Sequence, residues 1–361
     1  MRFLLVILVF ITTTAEARLR RTGFEGLRPL GMGNAFLALS DDQNMLWYNP
    51  AALARVRGVH SHLLDLTLGV DSFDTLSRLI DSILDGNFDD NIRTDTMYTR
   101  LNAAHSFITP YFGVSLFADS QTFMDLQELS SEAVDIVSKN DFGAIVGVGL
   151  PIGEHFSIGF SVRLFERFGI DEYLTPLELL TKLGGIPAGD FLDAVFSVLQ
   201  DDITTGYAIG VNMGALLTMP FTPREMKWTL AATLDDFGNT NFTAIPGAKA
   251  PDSINATLNF GTAFQYTLSR SNTLNLTFDW RDFWGTDPLF KRLHLGIEMR
   301  FSGFSLRAGV YQGRPTAGLS FEALPHTRIN FTTYGVELGD SIWTREHRWY
   351  LAQAIIGFTP F

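Results

Sequence analysis

The chain contains 361 residues, of which 46% are hydrophobic, and its formal net charge is −12. This length allows one large domain or two ordinary ones, and the composition excludes a disordered chain. The acidic balance argues against a nucleic-acid partner, because phosphate binding needs clustered Lys and Arg. The absence of cysteine excludes disulfides, thiolate metal sites and cysteine nucleophiles.

The first 17 residues, MRFLLVILVFITTTAEA, combine one basic residue, an apolar core over 3–11 and a small-residue end at 15–17. This pattern predicts a cleaved secretory signal peptide over residues 1–17. A membrane anchor is the alternative, but it needs about 20 apolar residues, roughly twice the length of this core. We find no other apolar run long enough for a transmembrane helix, so we expect an exported protein that is either soluble or a β-barrel.

The next segment, RPLGMGNAFLALSDDQNMLWYNPAAL, holds two glycines, Gly31 and Gly33, that resemble part of a phosphate-binding loop. A dinucleotide site needs a preceding hydrophobic strand and a βαβ unit, and neither is present here. Asp41 and Asp42 are adjacent carboxylates, which point to opposite sides of an extended chain. We therefore expect them in a solvent-exposed turn and not in a metal or acid–base site.

Asn49, Pro50 and Ala51 predict a rigid bend at the end of this segment. Pro50 lacks an N–H group and fixes its own φ angle, and Asn49 before it is restricted to an extended conformation from which it can cap a short helical turn.

Signatures of catalysis are missing from the sequence. The seven histidines are scattered and form no HExxH motif or paired ligand set. No GxSxG nucleophile elbow occurs either. We therefore expect no enzyme activity, no cofactor and no metal.

Strict alternation of apolar and polar residues is the strongest pattern after residue 250. Over 293–301 the apolar positions alternate with His294, Gly296, Glu298 and Arg300. A period of two residues predicts strands with one apolar and one polar face. Runs of nine or more residues approach the 9–11 that cross a bilayer at a tilt, and charges on the polar face suit a watery lumen.

Alternation and turn signals together predict an all-β fold, a transmembrane antiparallel β-barrel of about 14 strands over 59–361. The predicted strands are 59–70, 97–108, 111–119, 140–151, 155–166, 206–219, 226–236, 253–267, 272–282, 290–301, 303–311, 315–323, 327–337 and 348–358. Short connectors alternate with long ones, as expected when short turns face the periplasm and long loops face outward. The longest predicted connectors are 71–96, 120–139, 167–205 and 237–252.

The connectors 71–96 and 167–205 carry the apolar spacing of helices, which is informative because external loops are normally polar. Two interpretations remain open, a small lid that packs on itself and an apolar docking groove for a ligand. The ligand-binding candidates in the second connector are Leu177, Leu180, Leu183, Phe191, Val195, Phe196 and Leu199.

The segment LRPLGMGNAFLALSDDQNMLWYNPAALA, from 27 to 54, resembles the N-terminal region of the long-chain fatty acid transporter (FadL) family and its PorV-like relatives. The C-terminal HLGIEMRFSGFSLRAGVYQGRPTAGLSFEA resembles shorter members of the same superfamily. This resemblance implies a barrel whose N-terminal segment, residues 18–58, folds into the lumen as a hatch. Movement around Gly31, Gly33 and the Asn49–Pro50–Ala51 bend would then open a path.

The resemblance implies a channel in the outer membrane of a Gram-negative-type bacterium, for passive uptake of hydrophobic compounds, most of all long-chain fatty acids. Expected partners are the ligand, outer-membrane lipid and, during insertion, the barrel-assembly machinery. Inward-facing arginines would meet a carboxylate head group, or would only hold a wet ionic network together. These arginines are Arg163, Arg281, Arg300 and Arg307.

Two other functions stay open on the sequence alone. A PorV-like barrel would serve a secretion system as a structural or shuttle component, without a transported ligand. A secreted soluble enzyme is the third possibility. It would remain in the supernatant after membranes are pelleted.

Overall fold

The computed structural model describes residues 23–72, 96–125, 134–174, 202–220, 223, 225–339 and 341–358. The predicted signal peptide and most of the two helical connectors lie outside the described residues. The same holds for the apolar candidates Leu177, Leu180, Leu183, Phe191, Val195, Phe196 and Leu199.

A single antiparallel sheet of fifteen strands makes up most of the described chain. The strands are β1 (His60–Val70), β2 (Thr96–Thr109), β3 (Phe112–Asp125), β4 (Val134–Ile152), β5 (Phe156–Leu174), β6 (Thr204–Thr218), β7 (Met226–Asp235), β8 (Phe242–Ala244), β9 (Thr257–Thr267), β10 (Thr273–Trp280), β11 (Leu293–Phe301), β12 (Phe304–Tyr311), β13 (Arg314–Leu324), β14 (Thr327–Glu337) and β15 (Glu346–Phe358). Because β1 pairs with β15 and β5 with β6, the sheet closes on itself. The short β8 pairs only with the outer part of β6, so the closed barrel has the fourteen long strands that the sequence predicts.

Each strand turns an apolar face outward and a polar face toward the lumen. In β5, Val162 and Leu164 are exposed on the outside, whereas Ser161 and Arg163 are buried inside the barrel. Glu298 of β11 is completely buried on the lumen side. Apolar side chains outside and charged side chains inside are the distribution of a barrel that faces lipid and encloses a polar lumen.

The strands β4 and β5 correct the predicted loop boundaries. Each is 19 residues long, so the residues 134–139 and 167–174, predicted as loop, continue the sheet, as do 120–125 of β3. Alternation ends there because a strand that leaves the membrane meets water on both faces. The hydrogen bonds between the strands continue where the alternation of polar and apolar residues has ended. Periodicity alone therefore does not predict these outer ends of the strands.

Two smaller corrections concern the outward-facing connections. The predicted strand 290–301 begins with a helical turn, α3 (Leu289–Arg292), which follows Pro288, and the strand starts only at Leu293. The predicted strand 253–267 starts at Thr257. The short β8 in the connector 237–252 was not predicted, because three residues are too few to show a period.

Residues 23–58, which we call the plug, lie inside the barrel. The plug contains α1 (Leu27–Gly31), α2 (Met45–Tyr48) and a 3₁₀-helix (Pro50–Arg55). Its apolar side chains form a buried cluster with lumen-facing side chains of the wall, among them Ile108 of β2 and Ile145 of β4. Among the described residues, no helix is long and apolar enough to cross a membrane.

Candidate functional site

The Asn49–Pro50–Ala51 bend seats one end of the plug on the wall at β5 and β6. The Asn49 side chain accepts a hydrogen bond from the Ala51 N–H at 3.1 Å, which caps the 3₁₀-helix as predicted. It also donates to the backbone oxygen of Leu37 at 3.1 Å. A Cβ atom on Gly159 of β5 would lie 2.3 Å from the Ala51 nitrogen, so the contact requires a glycine in the wall.

The Gly31–Gly33 segment seats the other end of the plug on β11, β12 and β13. Gly33 has φ +63°, in the left-handed region that favours glycine. A Cβ atom there would lie 2.2 Å from the Leu295 carbonyl oxygen. The Gly33 N–H donates to Thr316 Oγ1 at 3.0 Å, and its carbonyl oxygen lies 2.8 Å from His294 Nδ1.

These two seats lie on nearly opposite sides of the barrel. Around the ring, β5 and β12 are separated by β6, β7, β9, β10 and β11 on one side, and by the remaining seven barrel strands on the other. The plug therefore crosses the lumen from wall to wall. Its middle part, from 34 to 48, spans the gap between the seats.

An ionic network centred on Arg28 fastens the plug further. The Arg28 guanidinium donates to Glu298 of β11 with two nitrogens, at 2.8 and 2.7 Å, and to Asp41 at 2.7 Å and Asp42 at 2.9 Å. Arg300 also binds Asp41. Burial would raise the pKa of Asp41, but the charges of Arg28 and Arg300 outweigh it and hold that pKa below its usual value.

This network adds to the expectation for the acidic pair. Asp41 and Asp42 lie at the start of a turn, and Asp41 is exposed toward the inner chamber, but both carboxylates also bind the same arginine from within the plug. The sequence could not show this pairing. Arg28 lies 13 residues before Asp41, and Glu298 lies 270 residues after Arg28.

Above the plug, an outer chamber of about 850 Å³ opens toward the long loops. Aromatic side chains of the plug form part of its floor, where Phe24 stacks on Trp47 with ring centroids 4.3 Å apart. Trp47 also contacts Phe117 of β3 edge to face, with centroids 4.7 Å apart. On the wall, Tyr98 and Trp349 stack with centroids 3.6 Å apart.

Two of the four predicted arginines border this outer chamber, and each already has a partner. Arg163 donates to Asp236 at 2.8 Å, and its guanidinium lies 5.6 Å from the centre of the Trp47 ring. Arg281 donates to the Asn34 carbonyl oxygen at 3.3 Å and lies over the Tyr48 ring.

Below the plug, an inner chamber of about 550 Å³ opens toward the short turns. The other two predicted arginines border it. Arg307 donates to Glu298 at 2.7 Å and to Ser320 at 2.9 Å, and Arg300 lies 3.1 Å from Glu298. All four predicted arginines therefore face the lumen, two in each chamber, and all four contact acidic or polar groups of the protein.

The helix α2 separates the two chambers. Met45, at its start, lines the inner chamber, whereas Trp47 and Tyr48, at its end, line the outer chamber. At this point the partition is one turn of helix. Trp47 was not among the predicted site residues, although an aromatic residue inside a segment predicted to fill the lumen indicates a contact with a ligand or with the wall.

Comparison with solved structures identifies the fold. A TodX deltaS2S3 mutant monoaromatic hydrocarbon channel matches with 14% identity and a TM-score of 0.55, over 92% of this chain and 98% of that chain. The CymD monoaromatic hydrocarbon channel matches with 11% identity and a TM-score of 0.51, over 93% and 97%. The Ralstonia pickettii toluene transporter TbuX matches with 11% identity and a TM-score of 0.50, over 92% and 97%.

The chain has the barrel fold of these channels. The resemblance seen at both ends of the sequence is confirmed at the level of the fold. No protein-family model matches the sequence, and a search of curated proteins finds no match. The plug and its two chambers lie in the lumen of this barrel.

Proposed function

We propose that this protein is an outer-membrane channel for the passive uptake of hydrophobic small molecules, with long-chain fatty acids among its ligands. The observation that carries the proposal is the single helical turn, α2, between two chambers that open to opposite ends of the barrel. Channels with the same fold are described for monoaromatic hydrocarbons and for toluene, which supports the same broad class of ligand here.

Capture takes place in the outer chamber. Its aromatic floor and wall remove an apolar ligand from water, and each buried CH₂ group contributes about 0.8 kcal/mol. A contact between rings of the floor and an aromatic ligand adds about 0.5–1.5 kcal/mol. The apolar faces predicted for the external connectors would deliver the ligand to this chamber. Replacing Leu180 and Phe196 together with Asp tests that delivery, because uptake falls only if those faces take part.

Passage requires a displacement of the plug between its seats. We infer that the hatch moves around Gly31, Gly33, Asn49, Pro50 and Ala51, which form the two ends where the plug contacts the wall. The helix α2 lies between these ends, and a small displacement of it joins the chambers. Diffusion down the ligand's gradient drives the step, without ATP.

Cysteine labelling tests this path, because the natural chain contains no cysteine. We place Met45→Cys in the inner chamber of protein inserted in one orientation into liposomes and add a charged, membrane-impermeant maleimide from the outer side. Labelling is expected to be slow without ligand and faster with toluene. Trp284→Cys, exposed at the outer end, provides the control and should react equally in both conditions.

The flux of toluene into the same liposomes shows whether the protein is a channel or a structural component. If toluene does not cross faster than in protein-free liposomes, the channel proposal is wrong, and a structural role of the PorV-like kind takes its place. If toluene crosses but Met45→Cys labelling does not respond, the channel stands and its path avoids α2.

A further inference from the structure

Three basic side chains of the inner chamber have no acidic partner within the part of the chain that the structure describes. Arg55 and Arg57 belong to the end of the plug, and Lys227 belongs to the inner end of β7. Among the described residues, no carboxylate oxygen lies within 4 Å of any of these three side chains. Arg55 donates to the neutral Thr218 Oγ1 at 2.8 Å. We call these three residues the basic cluster.

The other basic residues of the same chamber differ from the basic cluster. Each of them forms an ion pair with a carboxylate of the plug or the wall. They are Arg28, Arg300, Arg307 and Arg328. The carboxylates of the chamber are thus already occupied, and the basic cluster keeps an unbalanced positive charge.

Arg57 and Lys227 are exposed, whereas Arg55 is partly buried, so the imbalance is costly at Arg55. Desolvation lowers the pKa of Arg55 to about 10, since no carboxylate compensates for the lost water. The side chain remains charged at neutral pH. A bound anion would restore the missing interaction, because hydrogen bonds between a guanidinium and an anionic oxygen are strong.

Apolar side chains line another part of the same chamber. Leu39, Met45 and Val56 of the plug and Ile108 of β2 border the cavity. Met45 belongs to α2, so the apolar surface begins where a ligand would leave the partition. A cavity with apolar side chains and a basic cluster matches an amphiphile with one anionic head group.

We propose that Arg55, Arg57 and Lys227 form an exit site that binds the anionic head group of an amphiphile in the inner chamber. The proposal rests on the proposed uptake function for the direction of travel. It assigns the head group to side chains without carboxylate partners, in place of the four paired arginines that the sequence analysis selected.

Three probes with the same twelve-carbon chain test the site, measured by titration with the full-length protein in lipid nanodiscs. Dodecanoate carries a negative charge, dodecanol none and dodecyltrimethylammonium a positive charge. The triple variant Arg55→Gln, Arg57→Gln, Lys227→Gln is expected to bind dodecanoate about tenfold more weakly, the combined effect of three partly exposed charges. Its affinity for dodecanol should change less than twofold.

A matched variant controls for net charge. Arg270→Gln with Arg292→Gln and Arg348→Gln removes three basic residues that line neither chamber and should leave dodecanoate binding unchanged. The single variant Lys227→Gln gives a smaller loss should the triple variant fail to fold, and Lys227→Arg should restore binding. Equal losses for dodecanoate and dodecanol, or no loss for dodecanoate, would overturn the exit site.

Flux separates this inference from the proposed function. If dodecanol crosses the barrel but substitutions in the basic cluster do not change dodecanoate binding, the exit-site proposal is wrong and the channel proposal stands. If dodecanoate binding depends on the basic cluster but none of the neutral probes crosses, the site stands and the channel is wrong.

Discussion

The outer and inner chambers share one barrel and one plug but differ in charge. Six Arg or Lys and eight Asp or Glu line the outer chamber among the described residues. Seven Arg or Lys and four Asp or Glu line the inner chamber. The outer chamber is thus slightly acidic with an aromatic floor, whereas the inner chamber is basic.

This difference arises from the plug as well as from the wall. The plug contributes Phe24, Trp47 and Tyr48 to the outer chamber, and Arg28, Arg55 and Arg57 to the inner chamber. One short segment therefore presents aromatic rings to one side and guanidinium groups to the other. A hydrophobic ligand meets rings first, and an anionic group meets positive charge only after the partition. The following predictions test how firmly the plug keeps the chambers apart, from the largest effect to the smallest.

Glu298→Gln should have the largest effect. It leaves the buried Arg28 and Arg307 guanidinium groups without their shared carboxylate, and removal of one partner of a buried pair costs about 3–5 kcal/mol. The Phe36 and Leu37 amides, which donate to Asp279, should exchange with deuterium more than about a hundredfold faster.

Glu322→Gln is the control for this prediction. Glu322 pairs with Arg328 at the same chamber, but both side chains are more than 40% exposed, so the loss should stay below about 1 kcal/mol. Equal exchange rates in the two variants would show that the network does not hold the plug.

Gly33→Ala should disrupt the contact between the plug and strands β11 and β12. The new Cβ atom would meet the Leu295 and Val310 carbonyl oxygens at 2.2 and 2.4 Å, and overpacking of this kind costs about 1–3 kcal/mol. The ionic current through single barrels in a planar bilayer should rise, because the two chambers become connected.

Gly153→Ala provides a matched control for backbone strain. Gly153 also has positive φ, +72°, but nothing lies within 4 Å of a Cβ atom at this turn. Its variant carries the left-handed strain without the clash, so its current should match that of the natural protein. A rise in both variants would attribute the effect to strain and not to the seat.

Asn49→Ala should have an intermediate effect on the stability of the plug. It removes the cap of the 3₁₀-helix and leaves the Leu37 carbonyl oxygen without that donor, for a loss of about 1–2 kcal/mol. Thermal unfolding of the plug, followed by the loss of protection of its amides from hydrogen exchange, measures it. Asn255→Ala, at an exposed position, should leave the transition unchanged, and a similar shift in both variants would contradict the assigned role of Asn49.

Lowering the pH should have the smallest effect on the closure of the barrel by the plug. The pKa of Asp41 is held below its unfolded value of about 4, so its contribution to stability is complete above pH 4 and is lost as the pH falls through the lowered value. The ionic current should therefore rise as the pH falls below about pH 4. Asp41→Asn should make this rise shallower, and an unchanged rise would assign it to other carboxylates.

Much of the fold could be predicted because strand alternation is a local property. Positions two residues apart share a face of the strand. The apolar Val162 and Leu164 therefore indicate the lipid-facing side, and the polar Ser161 and Arg163 indicate the lumen side. Neither assignment depends on which strand pairs with this one. The number of strands, the direction of their faces and the side of the long loops follow from that rule. The outer ends of β4 and β5 did not follow, because both of their faces meet water.

The site was predictable only in its outline. The sequence identified Gly31, Gly33 and Asn49 as special positions, since glycine and Asn-Pro have strong local preferences. It placed Arg163, Arg281, Arg300 and Arg307 correctly on the lumen side. It could not show that these arginines have partners in the fold. It also could not show that Arg55, Arg57 and Lys227 lack carboxylate partners among the residues the structure describes.

The sequence by itself determined a lipid-facing barrel of fourteen strands and a distinctive segment before it, because period-two faces and the Asn-Pro bend are encoded within a few neighbouring residues. Only the tertiary structure decided how that segment divides the lumen. Arg28 binds Glu298, which lies 270 residues away in the sequence, and Gly159 leaves room for Ala51 because it has no Cβ atom. Both contacts join residues that are distant in sequence, so no local pattern predicts them.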